Sequence, residues 1–157
     1  MLPRSFYARD TVKVARELVG KELVCGGKRG IITETEAYKE DDPASHSCRG
    51  RTPRNAVMYG PPGHAYVYFC YGMHWMLNVT TEREGTAGAV LIRGLDWVSG
   101  PGRVTKELGI GRGLNGHDMT RAPLYIREGV VPKRIESSPR IGIKRGVERH
   151  WRFYTRL

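Results

Sequence analysis

The chain has 157 residues and a net charge of +10, from 26 lysines and arginines against 16 aspartates and glutamates. Its length is that of one domain, which we place over residues 1–157, and its apolar runs and three scattered cysteines argue against a membrane span and a disulfide framework. We therefore expect an intracellular monomer whose excess of positive charge suits a polyanion.

Hydrophobic periodicity and chain breakers predict short elements along the whole chain. The first helix begins at Asp10 or Thr11 and ends at Gly20. Two further short helices are predicted over residues 53–58 and 101–108. The predicted strands cover residues 21–25, 29–36, 66–71, 75–80, 89–93, 124–127, 141–143 and 151–155. Neighbouring short strands with few helices favour an α+β domain around an antiparallel sheet over alternating βαβ units.

Residues 64–80 form the most aromatic segment of the chain. Because side chains alternate along a strand, Tyr66 and Tyr68 share one face and Val67 lies on the other. Gly72 interrupts the alternation, which predicts a hairpin with its turn at or near that residue. Since an aromatic strand usually forms half of a packed sheet, we expect ordinary core for four residues of the segment: Val67, Phe69, Cys70 and Leu77.

The turn of this hairpin places Tyr71 and Met73 where their own strands cannot bury them. In a strongly basic protein, the gap between two stacked bases is a candidate site for such side chains, and ordinary packing is the alternative. A preceding loop adds Arg51 and Arg54, and arginine suits bidentate phosphate contacts. Residues 131–157 carry a further excess of positive charge. This distribution predicts a nucleic acid as the partner.

A second dense site lies in the predicted strand where Glu34, Glu36 and Tyr38 share one face. Glutamate is a poor strand former, so two on one face indicate either a solvated face or a site. The tyrosine favours a site, because a carboxylate beside an aromatic wall can activate water next to a flat, stacked substrate. The five histidines show no metal-ligand spacing, and no P-loop or dinucleotide motif is present. We therefore predict no metal and no other cofactor.

Five motifs, taken in their order, resemble the alkyladenine (3-methyladenine) DNA glycosylase family. They are TEAY (35–38), ASH (44–46), TPRN (52–55), YVYFCYGMHWMLN (66–78) and AVLIRGL (89–95). The resemblance extends from about Arg16 to about Tyr154. It implies a single α+β domain with a curved, mostly antiparallel sheet, short helices and a protruding hairpin that inserts into DNA. The chain is short after Trp97, where larger family members carry an insertion.

The resemblance also implies catalytic roles at matching positions. Glu36 corresponds to the general base that deprotonates the attacking water. Arg93 corresponds to the arginine that helps to hold this water and the carboxylate, and a main-chain carbonyl near Ile141 is expected to assist. Asn78 corresponds to the residue that excludes the 2-amino group of ordinary guanine.

Further matching positions concern the damaged base and the duplex. Tyr38 is expected to stack on one side of the extruded base, with His46 and Tyr68 on the other side. Tyr71 corresponds to the residue at the hairpin tip that fills the vacated space in the duplex, and Met73 lies beside it.

Together these positions imply a DNA repair enzyme acting on double-stranded DNA that contains damaged purines. It would flip an alkylated or deaminated purine (3-methyladenine, 7-methylguanine or hypoxanthine type) out of the helix and hydrolyse its N-glycosidic bond. No lysine lies in residues 34–38, so we expect a monofunctional glycosylase that leaves an abasic site. Such an enzyme works in the cytoplasm (nucleoid) of a prokaryote or in the nucleus of a eukaryote.

Two alternatives stay open on charge and composition alone. One is a module that binds nucleic acid or lesions without chemistry, and the other is an inactive relative that only senses damage. Glu36 beside Tyr38 favours the enzyme, because a carboxylate that faces a nucleic acid lowers affinity unless it has a role.

Overall fold

Ten strands form one curved sheet in the computed structural model, which describes residues 1–157. The strands are β1 Glu22–Cys25, β2 Lys28–Lys39, β3 Ala65–Cys70, β4 His74–Thr80, β5 Gly88–Leu95, β6 Val98–Ser99, β7 Thr120–Arg121, β8 Leu124–Arg127, β9 Glu136–Ser138 and β10 Arg152–Tyr154. The helices are α1 Arg4–Tyr7, α2 Thr11–Leu18 and α3 Pro101–Leu108, with 3₁₀ turns over Ala56–Tyr59 and Arg112–Leu114. Every strand pairing is antiparallel, so the predicted α+β class and antiparallel sheet are confirmed.

The longest strand, β2, occupies the centre of the sheet. The order of the main path is β3-β4-β5-β2-β1-β8-β7, and β10 pairs with both β2 and β9. The C-terminal half of β2 therefore lies between two neighbours, with Glu36 opposite Leu91 on β5 and opposite Arg152 on β10. The pairing with β5 shifts register on both sides of Glu34. Such an irregularity bends a strand locally.

Helix α2 packs against one face of β2, and the side chains of the opposite face point away from this helix. The Asp10 side chain caps the helix by accepting from the Lys13 amide at 3.2 Å, as the sequence predicts. The Thr35 hydroxyl on β2 donates to the Ala15 carbonyl of α2 at 2.7 Å, and Ala37 lies in the core on the same side. Alternation then directs Glu34, Glu36 and Tyr38 away from α2.

Helix α3 packs against β4 and begins close to the hairpin. It spans Pro101–Leu108 and is capped at its C-terminus by Gly109, whose φ is 70°. The Thr105 hydroxyl donates to the Trp75 carbonyl at 2.7 Å. A Cβ added at Gly102 would lie 2.7 Å from the His74 ring, so only glycine allows this approach. None of the three helices has the length and apolar character that crossing a membrane requires.

One predicted element is wrong, and a second is confirmed only in part. Residues 141–143 form a turn in which Gly142 has a φ of 75°, a conformation that a strand does not contain. The short helix predicted over residues 53–58 is present only as the 3₁₀ turn over Ala56–Tyr59, because the Asn55 side chain holds the residues before it in a loop. This side chain accepts from the Thr52 amide at 2.7 Å and donates to the carbonyls of His46 and Gly50.

The predicted core residues of the hairpin divide into two groups. Val67 and Leu77 are buried in the main core, as predicted. Phe69 is instead 40% exposed, and Cys70 is half-buried and lines a cavity. The reason is position, since β3 is the edge strand and its end pairs only with β4, beyond the core.

Candidate active site

A cavity of about 970 Å³ opens beside the β3–β4 hairpin. It is bounded by strands β3, β4 and β5, by the end of β6 and the first turn of α3 (residues 99–103), and by the loops at residues 43–46 and 141–145. Of the residues predicted to bind substrate or catalyse, five line it: Tyr38, His46, Tyr68, Asn78 and Arg93. Residues from four separate motifs of the sequence therefore meet at one cavity.

Glu36 is fully buried and touches three groups that line this cavity. Its Oε1 accepts from the Tyr38 hydroxyl at 2.8 Å and lies 3.7 Å from Nη1 of Arg93. Its Oε2 accepts from the amide of Ile141 at 2.7 Å. The sequence predicted a main-chain carbonyl near Ile141 at the site; the contact that the structure shows is made by the Ile141 amide, and the carbonyl stays a prediction.

The protonation of Glu36 is set by opposing effects. Burial raises the pKa of this carboxyl, and the Arg93 charge, the Ile141 amide and the Tyr38 hydroxyl each lower it, with a net rise above the ordinary value. The same neighbourhood raises the pKa of Tyr38, through burial and then the Glu36 charge. Tyr38 therefore remains a hydrogen-bond donor to Glu36.

Arg93 is held in place by a second carboxylate. Its Nε donates to Oε2 of Glu34 at 3.2 Å, and Nε of Arg152 on β10 donates to the same oxygen at 2.5 Å. Carboxylates and guanidinium groups thus alternate across β10, β2 and β5. The prediction that Glu34 and Glu36 share one face is confirmed, and sequence reasoning missed Arg152 because only the sheet pairing places it here.

Aromatic rings form a continuous group on the hairpin side of the cavity. The centroids of His46 and Tyr68 are 4.3 Å apart, and those of Tyr66 and Tyr68 are 5.4 Å apart. Nδ1 of His46 lies 3.0 Å from the Tyr66 hydroxyl. Burial, followed by the Arg54 charge, lowers the pKa of His46, which favours the neutral ring. Asn78 is buried beside them, and its amide donates to the Tyr66 carbonyl at 3.2 Å.

The tip of the hairpin presents two large side chains to solvent. Tyr71 is 91% exposed and Met73 is 70% exposed. Tyr71 has a φ of 52° and Gly72 a φ of 66°, and the Met73 amide donates to the Cys70 carbonyl at 3.0 Å. This is the pattern of a type I′ turn, in which tyrosine is unusual. Of the two, Tyr71 also lines the cavity.

All charged side chains that line the cavity are basic. Besides Arg93 they are Arg103 of α3 and the neighbouring Lys144 and Arg145, and none of these three forms an ion pair. The sequence located the last two only as part of a general basic excess. Arg54 lines a smaller adjoining cavity of about 200 Å³, whereas the exposed Arg51 lies over Tyr59 and lines neither cavity.

A buried ion pair between Asp42 and Arg140 lies next to the site and was missed by sequence reasoning. The two residues are 98 positions apart, and Arg140 was noticed only as part of the basic excess of residues 131–157, so no local signal pairs them. No group of three or more histidine, cysteine, aspartate or glutamate side chains converges in a way that could hold a metal ion.

Comparison with known proteins gives consistent matches over nearly the whole chain. The model of the methylpurine-DNA glycosylase family matches residues 5–99 and 94–157. A Rhodopseudomonas palustris relative is 45% identical over 98% of this chain and 84% of its own length. A relative from Carboxydothermus hydrogenoformans is 47% identical over 98% of this chain and 94% of its own length. One from Wolbachia sp. subsp. Brugia malayi is 48% identical over 98% of this chain and 96% of its own length. All three bear the name "Putative 3-methyladenine DNA glycosylase".

The two segments of the family match overlap at residues 94–99, where the structure has a short turn between two strands. The alignment with the Rhodopseudomonas palustris relative runs over 172 positions, more than the 157 residues of this chain, so that relative has residues which this chain lacks. Here β5 and β6 are joined by only two residues, Asp96 and Trp97. Nε1 of Trp97 donates to the Arg29 carbonyl at 2.8 Å and fixes the turn on β2.

Proposed function

The chain belongs to the methylpurine-DNA glycosylase family, and from this premise we propose that it hydrolyses the N-glycosidic bond of a damaged purine flipped out of duplex DNA. The proposed substrates are alkylated or deaminated purines of the 3-methyladenine, 7-methylguanine and hypoxanthine type. The proposed product is an abasic site, which places the enzyme in base excision repair.

One observation carries the proposal: Glu36 is buried without solvent exposure and is in contact with cavity-lining groups. Burying a carboxylate is unfavourable unless it is paired and hydrogen-bonded. A raised pKa and positioned donors suit a group that takes a proton during turnover. A module that only binds DNA has no use for a carboxylate here.

The rings supply a slot for a flat base. We propose that the purine stacks between Tyr38 on one side and His46 with Tyr68 on the other. Stacking is worth about 1–3 kcal/mol per base, which offsets much of the few kcal/mol that extrusion costs. An alkylated purine is cationic and interacts favourably with an electron-rich ring. Asn78 is proposed to exclude the 2-amino group of guanine from the slot.

The proposed reaction needs one water and one base. A water held between Arg93 and the segment at Ile141 attacks the sugar C1′ as the bond from C1′ to the purine nitrogen breaks. Glu36 takes the proton of this water, and the bonding electrons leave with the purine. An alkylated purine departs as a neutral molecule, which makes it the better leaving group.

The hairpin and the basic side chains are proposed to hold the distorted duplex. Tyr71, with Met73 beside it, fills the gap that the flipped nucleotide leaves. We propose that Arg54, Arg103 and Arg145 contact phosphates near the cavity, since arginine forms bidentate contacts with phosphate. Arg51 is proposed to bind phosphate further from the cavity.

The decisive experiment compares wild type with Glu36→Gln on methylated duplex DNA, measuring released base and DNA binding separately. Glutamine keeps the shape of the site, because its oxygen can accept from the Ile141 amide and its amide can donate to the Tyr38 hydroxyl. We expect release to fall by about 10²–10⁴-fold, the usual contribution of a general base, while binding is retained.

The matched control is Glu128→Gln, the same chemical change at a carboxylate that is 78% exposed. It should release base at the wild-type rate. Equal release by wild type and Glu36→Gln would reject the assignment of the base. No release by either, with binding intact, would instead favour the binding module.

The monofunctional reaction has its own test. Lys144 is the lysine that lines the cavity, so a Schiff base with the sugar would involve this side chain. We expect borohydride to trap no protein on lesion-containing DNA. Trapping that disappears in Lys144→Gln would contradict the proposal and assign a lyase step to that amine.

A further inference from the structure

We propose that the buried Asp42–Arg140 ion pair is a positioning device that holds the Ile141 amide on Glu36 and the Tyr38 ring at the cavity. The inference rests on the proposed function, because its main readout is the rate of base release. Neither residue is expected to touch the substrate, since neither lines the cavity.

A single guanidinium ties the loop at residues 140–146 to the centre of the sheet. Nη1 of Arg140 donates to Oδ2 of Asp42 and, at 2.9 Å, to the carbonyl of Ala37. Nη2 donates to Oδ1 of Asp42 at 3.0 Å and to the Gly146 carbonyl at 3.3 Å. Both charged side chains are fully buried. The loop is thus closed at both ends by one side chain, which is anchored on β2.

The anchor points lie next to the two residues on which the proposed chemistry depends. Ala37, which accepts from Arg140, stands between Glu36 and Tyr38 in β2. The guanidinium carbon of Arg140 lies 4.8 Å from the centroid of the Tyr38 ring. Ile141, the next residue along the chain, donates its amide to Glu36 at 2.7 Å. Arg140 therefore fixes the Glu36 donor and the Tyr38 ring together.

Stability alone does not account for this pair. Replacing a buried ion pair by apolar groups of similar volume is often neutral or stabilising. Here Nε of Arg140 and Nη1 of Arg149 are also buried without a hydrogen-bond partner. A Cβ at Gly146 would lie 2.8 Å from Nη2 of Arg140 and 3.1 Å from Oδ1 of Asp42, so a glycine is needed to admit the pair. We infer that geometry at Glu36 is what the pair provides.

The pair can influence Glu36 only through a few neighbours. The titratable and charged groups around this carboxyl are Arg93 on β5, Glu34 and Tyr38 on β2, Tyr68 on β3, and Arg152 on β10 through Glu34. Of these groups, Tyr38 is the one that contacts Arg140. Removing the pair should therefore act on Glu36 through Tyr38 and through the Ile141 amide.

The test is the double variant Asp42→Asn/Arg140→Met. It removes both charges of the pair and leaves Arg149, whose Nη1 lies 3.7 Å from Oδ1 of Asp42 and whose side chain is 29% exposed to solvent. Asparagine can still accept from the Ala44 amide as Asp42 does. We expect a folded protein by thermal unfolding whose single-turnover base release is about 10²-fold slower, as when a reacting group is misplaced by about 1 Å. The acid limb of the pH–rate profile should move to higher pH, because Glu36 loses a donor that stabilises its charge. Affinity for lesion DNA should change far less than the rate.

A folded double variant with the wild-type rate and the wild-type acid limb would overturn the inference. If the double variant does not fold, Arg140→Lys tests the inference instead. Lysine keeps the positive charge but cannot donate to all four acceptors that the guanidinium group binds. A slower rate with a displaced acid limb supports positioning, and an unchanged profile rejects it. Gly146→Ala should also slow base release and displace the acid limb. Gly26→Ala, at a glycine with a similar positive φ and open space around it, should leave both the rate and the acid limb unchanged. A wild type without base release would reject the proposed function itself.

Discussion

The carboxyl group of Glu36 combines burial with four interacting neighbours, and each neighbour acts on its charge in a known direction. Burial and the Glu34 charge disfavour the ionised form, while Arg93, the Ile141 amide and the Tyr38 hydroxyl favour it. The balance leaves the pKa of Glu36 above that of a free glutamate. Both the stability of the protein and its pH–rate profile should therefore depend on this residue.

Removing the Tyr38 hydroxyl should displace the pH–rate profile without removing the ring. In Tyr38→Phe, Oε1 of Glu36 loses a donor at 2.8 Å that stabilises its ionised form, so the pKa of Glu36 should rise. We expect the acid limb of single-turnover release to move to higher pH. Tyr68→Phe is the control, because it removes a hydroxyl from the same cavity that makes no hydrogen bond to Glu36. An unmoved limb in Tyr38→Phe would contradict this assignment.

Glu36→Gln should make the protein more stable at neutral pH. The folded-state pKa of Glu36 lies above the unfolded value, so folding favours the protonated form. The contribution of this group to the free energy of unfolding is therefore complete below its unfolded-state pKa, and it is lost as the pH rises through its folded-state pKa. We expect a higher Tm than wild type at neutral pH, with the difference shrinking on acidification. A lower Tm at neutral pH would show that the partners outweigh burial.

At the scale of the elements, the hairpin β3–β4 has two parts with different surroundings. Its base contributes Val67 and Leu77 to the core, and its far end carries Phe69, Tyr71 and Met73 in solvent. A β-hairpin stiffened by a tight turn can present such side chains without burying them. The exposed end is therefore free to act on a partner while the base keeps the fold.

Tyr71→Ala should weaken binding to lesion-containing duplex and leave stability almost unchanged. We expect a loss of about 1–3 kcal/mol in duplex affinity, the value of one stacked aromatic, and little loss with abasic single strands. Because Tyr71 is 91% exposed, stability should stay within about 0.5 kcal/mol. Tyr71→Phe, which keeps the ring, is the matched control. Fluorescence anisotropy on both ligands measures the effect, and equal losses on the two would contradict a wedge.

For the whole molecule, the net charge of +10 matters through its distribution. Many surface arginines are paired with acidic residues, such as Arg9 with Glu17 and Arg127 with Glu22. The basic side chains at the cavity include Arg103 and Arg145, which have no such partner. An unpaired cation can release counterions from DNA phosphates, so binding should weaken steeply with salt.

Arg103→Gln should lower the slope of log K against log salt by about one, the value for a single phosphate contact. Lys106→Gln is the matched control on the same helix, because Lys106 is exposed but does not line the cavity. Its slope should equal that of wild type. Salt-insensitive binding by wild type, or equal slopes for the two variants, would contradict a phosphate contact at Arg103.

Local signals in the sequence were sufficient where one segment makes the structure by itself. The cap at Asp10, the left-handed end of α3 at Gly109 and the turn at Gly72 each depend on residues within a few positions. The prediction over residues 141–143 failed because the shape of that segment depends on Arg140 and on distant β2. Phe69 was assigned to the core because alternation reports which face a side chain shares, but not where the sheet ends.

The sequence alone determined the fold class, the hairpin with its exposed tip, the family and the shared face of Glu36 and Tyr38. Each follows from short-range periodicity, turn chemistry or an ordered set of motifs. Only the tertiary structure decided how Glu36 is charged and held, since Arg93 on β5 and the Ile141 amide of a distant loop reach it from separate parts of the chain. Burial, hydrogen bonds and ion pairs depend on distances across the sheet, and such distances are set by packing and not by spacing along the chain.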